Sequence, residues 1–280
     1  MGSHNAPVLA RTPGKEQQAV RSRPAQRTHT WRFFRDRLVI LLFLAPAMLA
    51  LLLFRLLPMG YAIVNSLEHN NHFVGLENYR FLLQSSSFWN ALKVTVLFGI
   101  IINPLQIILA LLVAVLLTQG IPWRSLWRTL VFLPAAIPFI SSSIIWSMAF
   151  RPDGILNALL AAFHLGPQPF LTSSSQALYC IMVLASWIGV GYWMVFLIAG
   201  LQDIPVVYRE AAAIDGANTL RTFFQIVLPL LRRPLAFVLV ADTVANFLLF
   251  APIQALTRGG PDDSTNLLMF DVFRQAYTYG

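Results

Sequence analysis

Apolar residues run along this chain in stretches of about 20 with short polar segments between them, the length at which a helix crosses the ~30 Å hydrocarbon layer of a bilayer. Five spans are predicted: Leu38 to Leu57 with an extension towards Ser66, Ala91 to Leu117, Thr129 to Phe150, Ala177 to Gly200, and Leu235 to Leu256. The first run continues through Ala47 to Leu57. It is therefore too long for the apolar core of a secretory signal and reads as a retained span. Pro46, Pro58, Pro104, Pro134, Pro138 and Pro252 stand in or beside the spans. Each removes a backbone donor and bends its helix, although proline is also commoner in membrane helices than in soluble ones.

The polar segments alternate in charge. Arg124 and Arg128, then Arg209, Arg221, Arg232 and Arg233, lie in basic connections. Glu68 and Glu77, Asp153, and Asp262, Asp263 and Asp271 lie in acidic ones. Arg11, Lys15, Arg21, Arg23, Arg27, Arg32, Arg35 and Arg37 precede the first span. Placing that tail in the cytosol puts fourteen Lys and Arg residues inside, against five outside at Arg80, Lys93, Arg151, Arg258 and Arg274. This satisfies the positive-inside rule, makes the segment 201–234 a cytosolic loop, and predicts a cytoplasmic N-terminus.

Composition agrees. Of 280 residues 57% are hydrophobic and 11% charged, outside the balance of a soluble domain. The net charge of +8 comes largely from the tail, so it points to membrane anchoring and not to nucleic acid. Residues 1–37 are expected to be a basic cytosolic tail, largely disordered, and 38–280 one membrane domain. Cys180 is the single cysteine, which rules out an intrachain disulfide and a cysteine-based metal cluster. His69 and His72 have no third ligand in sight, so no metal site is expected. Arg55, near the end of the first span, reads as a side chain that snorkels to the headgroups. No Gly-x-x-x-x-Gly-Lys loop and no nucleophile with its base is visible, so the chain is not expected to be an enzyme.

The loop 201–234 contains Glu210-Ala211-Ala212-Ala213-Ile214-Asp215-Gly216-Ala217 and, further on, Ile226-Val227-Leu228-Pro229. Glu210 to Ile214 reads as a helix of strong formers, with Pro205 as a start signal and Gly216 as a stop. A second helix from about Thr219 to Val227 presents Leu220, Phe223, Phe224 and Val227 at helical spacing. The pair predicts a helix-turn-helix at the membrane surface.

This spacing resembles the EAA loop of binding-protein-dependent ABC importer permeases, in which Glu-Ala-Ala is followed after three residues by Gly and after nine more by Ile-x-Leu-Pro. Val74-Gly75-Leu76-Glu77-Asn78-Tyr79, Phe132-Leu133-Pro134 and Leu256-Thr257-Arg258-Gly259-Gly260-Pro261 resemble the carbohydrate branch of that family. The resemblance implies an all-α integral membrane helical bundle of the ABC importer type I permease fold in a bacterial inner membrane. It also implies a sixth core helix after Tyr279-Gly280, which this sequence does not contain. By resemblance Glu210, Ala211, Ala212, Gly216, Ile226, Leu228 and Pro229 dock into an ATPase. The implied partners are a second permease subunit, two ATPase subunits that hold the ATP and Mg, and an extracytoplasmic binding protein. No cofactor is expected in this chain.

Intramembrane polar groups are costly and mark sites. Asp242 and Asn246 are four apart and share one helix face. Resemblance to the maltose-type permease implies a substrate pocket lined by Ile188, Gly189, Tyr192, Asp242 and Asn246, for a sugar, a polyol or a glycerol phosphate. Trp187 and Trp193 stand in the same stretch. Asp242 replaces a small hydroxyl residue and Leu249 an amide of the family pattern, which points to a different ligand or a rearranged pocket. Asp242 also reads as a helix-to-helix contact, or as the partner of an Arg on the second permease. Two rival functions remain: an ion-gradient-driven secondary transporter using Asp242, and an assembly factor.

Overall fold

A computed structural model describes Gly2 and residues 29–70 and 72–277; the tail expected at 1–37 falls mostly outside the described residues. The chain divides into two compact units, 1–78 and 79–280, where the sequence suggests a single membrane domain from 38 onward.

In the first unit, α1 (His29–Leu51) passes through a widened turn at Leu52–Leu56 into α2 (Leu57–Ser66). The helix thus starts inside the expected tail, nine residues before Leu38. The Leu57 N–H bonds the carbonyl of Leu52, a looser ring than the α-helical one. It sits just ahead of Pro58, which cannot donate and whose ring crowds the preceding turn. A short hairpin follows, β1 (Glu68–His69) antiparallel to β2 (His72–Phe73), with His69 opposite His72. The Asn78 amide ties it to the helix by donating to the carbonyls of Ser66 (3.0 Å) and Glu68 (2.9 Å).

The second unit takes up the rest of α3 (Glu77–Gln84) and is built around α4 (Ser86–Thr118) and α8 (Ala177–Gln202). Ser85 caps α4 by accepting from the Phe88 N–H. The two long helices pack along each other, with Ala110 and Ala114, one turn apart, fully buried at the contact. Small residues at such spacing let backbones approach where lipid supplies no hydrophobic drive between helices. Met194, Leu197, Leu201, Leu231 and Val238 fill one half of the core, and Phe98, Ile102, Ile181, Ile253 and Leu267 the other.

The third expected span is not one straight helix. Here α5 (Arg124–Phe132) runs into a 3-10 turn, Leu133–Ala136, and α6 (Phe139–Ala149) leaves it at 97°. Pro134 and Pro138 bracket the break, and each withdraws an N–H from the ladder. Gly191 of α8 meets the backbone here. A Cβ on it would collide with the Val131 carbonyl oxygen.

Next, α7 (Ile155–Ala162) is tethered by Asn157. Its amide donates to the carbonyls of Pro152 and Gln168, and its oxygen accepts from the Gln168 N–H at 2.8 Å. After α8 come α9 (Val206–Ile214) and α10 (Thr219–Thr222), the latter continuing through a widened turn at Phe223–Val227 into α11 (Leu228–Leu230). The fifth span begins earlier than expected, as α12 (Arg232–Phe247), and breaks at 248–250 ahead of Pro252 before α13 (Ala251–Leu256). Gly200 lets α12 close on α8, since a Cβ there would stand 2.6 Å from Pro234 Cγ. The last element is α14 (Leu268–Tyr277).

Candidate functional site

Two places in the second unit concentrate polar side chains where the surroundings are apolar. The first is at the centre of the spans. Asp242 and Asn246 project from α12 on one face, as their four-residue spacing predicts, and are 1% and 5% exposed. The Asp242 Oδ1 accepts from the Trp193 indole N–H of α8 at 2.6 Å and from the Asn246 amide at 3.1 Å. The same amide reaches Asn103 Oδ1 at 2.8 Å and Gln106 Oε1 at 3.3 Å, both on α4. The Asn103 amide donates in turn to the Thr243 hydroxyl, whose proton goes to the Leu239 carbonyl. Three helices are therefore joined by side-chain bonds at one level. Such a level is expensive in a bilayer unless its groups are satisfied.

Of the residues implied to line a pocket, Gly189 joins this cluster, because Gln106 lies over it: a Cβ on Gly189 would be 2.8 Å from Gln106 Nε2. Ile188 is buried, whereas Tyr192 is 43% exposed and stacks edge-on with Trp193 and tilted on Phe196. Asn103 and Gln106 were not singled out from the sequence. Their signal was available as two amides three residues apart inside a span, flanking Pro104. Trp187 faces elsewhere, into an apolar cleft of about 450 Å³ with Trp146, Tyr179 and Leu105.

The second concentration lies at the Ser86 end of α4. Arg274 bonds the Asp263 carboxylate at 2.7 Å, the Asp271 carboxylate at 3.0 Å and the Ser87 hydroxyl at 3.2 Å. Asp271 also accepts from Asn266. Burial works against the Arg274 cation, but the bonds and charges of the two carboxylates prevail and raise its pKa. This knot fixes the segment from Pro261 to Asp271 against α4. The Leu268 N–H, which donates to the Thr95 hydroxyl at 2.7 Å, holds the same segment.

The loop between α8 and α12 has the expected helix-turn-helix. Pro205 precedes α9, Gly216 takes φ +76° at its end, and the Asn218 side chain caps α10 by accepting from the Arg221 N–H at 2.8 Å. The positive φ explains the glycine, since any other residue there is strained. Glu210, Ala211 and Gly216 are exposed, while Ala212 faces inward at 4%. Val206, Val207, Tyr208 and Ile214 give α9 an outward apolar surface, Ile214 being 87% exposed. The expected apolar face of the second helix divides. Phe223 and Val227 pack into the core, whereas Leu220 and Phe224 stay outside. Ile226 and Leu228 are half-buried and Pro229 is exposed. Among the described residues no three His, Cys, Asp or Glu side chains could hold a metal ion together.

Known proteins resemble this chain in sequence and in fold. The chain is 34% identical over 257 residues to the probable ABC transporter permease protein YesP of Bacillus subtilis, covering 88% of this chain and 82% of that one. It is 32% identical over 252 residues to the sn-glycerol-3-phosphate transport system permease protein UgpA of Agrobacterium fabrum, covering 87% and 86%. The fold matches a chain of a bacterial ABC transporter involved in the import of the acidic polysaccharide alginate, with a TM-score of 0.76 at 21% identity over 90% of this chain and 88% of that one. Residues 106–278 match the family described as binding-protein-dependent transport system inner membrane component. With that match spanning more than half its length, the chain belongs to this family of ABC importer permeases.

Proposed function

We propose that this chain is one permease half of an ATP-driven sugar importer, with its N-terminus in the cytosol. It lines a path for a sugar, a related polyol or a glycerol phosphate. A second permease, two ATPase subunits and an extracytoplasmic binding protein complete the machine, and ATP and Mg are held by the ATPases. Substrate contacts fall to Ile188, Gly189, Tyr192, Asp242 and Asn246, and docking to Glu210, Ala211, Ala212, Gly216, Ile226, Leu228 and Pro229. ATP binding would draw the two ATPases and their docked loops together and rock the spans between two openings.

The observation that carries this reading is the loop from α9 to α11. It puts an apolar surface and an acid outside the bundle on a turn held by Gly216, on the side of the membrane that the charge pattern assigns to the cytosol. A gradient-driven carrier needs no such loop. The test is ATPase activity of the reconstituted complex with loaded binding protein, comparing the wild type with Gly216→Pro and Glu210→Lys. Proline cannot adopt φ +76° and breaks the turn. The expected outcome is loss of stimulation by the binding protein with assembly retained. Unchanged stimulation in both variants would refute the docking assignment.

A further inference from the structure

At the central polar level one amide is shared among several acceptors. The Asn246 amide has two hydrogens for three oxygens, those of Asn103, Gln106 and Asp242. The second carboxylate oxygen of Asp242, Oδ2, is buried and accepts no hydrogen bond among the described residues, although the residue is only 1% exposed. Among the described residues of the three helices that meet here, no cation is placed to offset it. The α8 span contains no charged residue, α4 contains only Lys93, which is exposed and ten residues before Asn103, and α12 contains only Arg232 and Arg233 at its start. A carboxylate oxygen left without a donor in a low-dielectric site is costly. It favours any group that brings an O–H or N–H, and it repels a second negative charge.

We infer that Asp242 selects by charge: this importer carries a polyhydroxylated solute without negative charge, whose hydroxyl donates to Asp242 Oδ2, and it excludes phosphorylated and carboxylated solutes. The inference rests on the importer reading and narrows it, since glycerol phosphates drop out. Asn246, Gln106 and Asn103 then act as the remaining acceptors and donors of the same level, and Gly189, having no Cβ, leaves the space that the Gln106 amide occupies. Asp242 is what separates this site from one for an anion. A phosphate or uronate site would require a cation or a ring of N–H donors at that level.

The test uses cells that express the complete importer with its binding protein, and a panel of radiolabelled solutes. Maltose, trehalose, sorbitol and glucosamine represent uncharged or cationic solutes; glycerol 3-phosphate and galacturonate represent anions. Uptake is expected for at least one of the first group, with the anions slower by about a hundredfold or more, the discrimination that a juxtaposed like charge provides. In Asp242→Asn, which exchanges a charge-assisted acceptor for an amide, KM for the accepted solute should rise about tenfold. If an anion is the fastest solute, the charge filter is wrong and the importer stands. An unchanged KM in Asp242→Asn also overturns it. So does failure of that variant to assemble with the second permease, which would assign the carboxylate to an interface between subunits. Absence of ATP-dependent uptake of every solute, with the complex assembled, would sink the importer reading and the inference together.

Discussion

At the residue scale, two glycines two positions apart on α8 do different things. A Cβ on Gly189 meets the amide end of Gln106, which can rotate away, whereas a Cβ on Gly191 meets the Val131 backbone, which cannot. Overpacking against fixed atoms costs about 1–3 kcal/mol. Gly191→Ala is therefore expected to lower the unfolding temperature of the purified complex by several degrees, and Gly189→Ala to lower it much less while altering substrate KM through Gln106. Equal losses in both would show that Gln106 is as firmly held as the backbone. The sequence offers no sign of this difference, since it depends on what α8 packs against. The Asp242 and Asn246 pairing was legible because helical periodicity fixes which residues share a face. That α4 would bring Asn103 and Gln106 to the same level was not, because spacing within one helix says nothing of which helix faces it.

At the element scale, the helix-turn-helix of the loop from α9 to α11 was legible, though not the widened turn at Phe223–Val227 that interrupts its second helix. Its signals are local: a proline start, strong helix formers and a glycine stop. The third span was not legible, because proline alone does not separate a bent helix from a broken one. The 97° bend between Ala136 and Phe139 also follows an arm whose backbone, at Val131, only Gly191 can admit, and that contact lies 60 residues away. The local character of the loop has a consequence. Ile214 makes almost no contact within its own chain, so Ile214→Asp should leave the stability of the permease unchanged within about 0.5 kcal/mol. In the proposed complex the same change places a charge in an apolar contact, and co-purification with the ATPase should fall at least about tenfold. A variant that loses stability before it loses the ATPase would mean that α9 packs on its own bundle and not on a partner.

For the whole molecule the decisive question is which ends of α4, α8 and α12 face the cytosol. The proposed orientation rests on the distribution of charge in the sequence, which would put fourteen of twenty Lys and Arg residues on the cytosolic side and five on the other. Each basic side chain placed near the anionic cytosolic leaflet contributes roughly 1 kcal/mol, which favours that orientation. The orientation can be read with thiols. Cys180, the only native cysteine, is 4% exposed inside α8, so it should stay silent towards a bulky, membrane-impermeant maleimide. Ser174, just before α8, and Thr219, at the start of α10, are both exposed and lie at opposite ends of that span. In intact cells Ser174→Cys should label and Thr219→Cys should label only after the membrane is opened. The reverse pattern would put the α9 to α11 loop outside, away from ATP, and would remove the basis for calling it a coupling element whatever its sequence resembles.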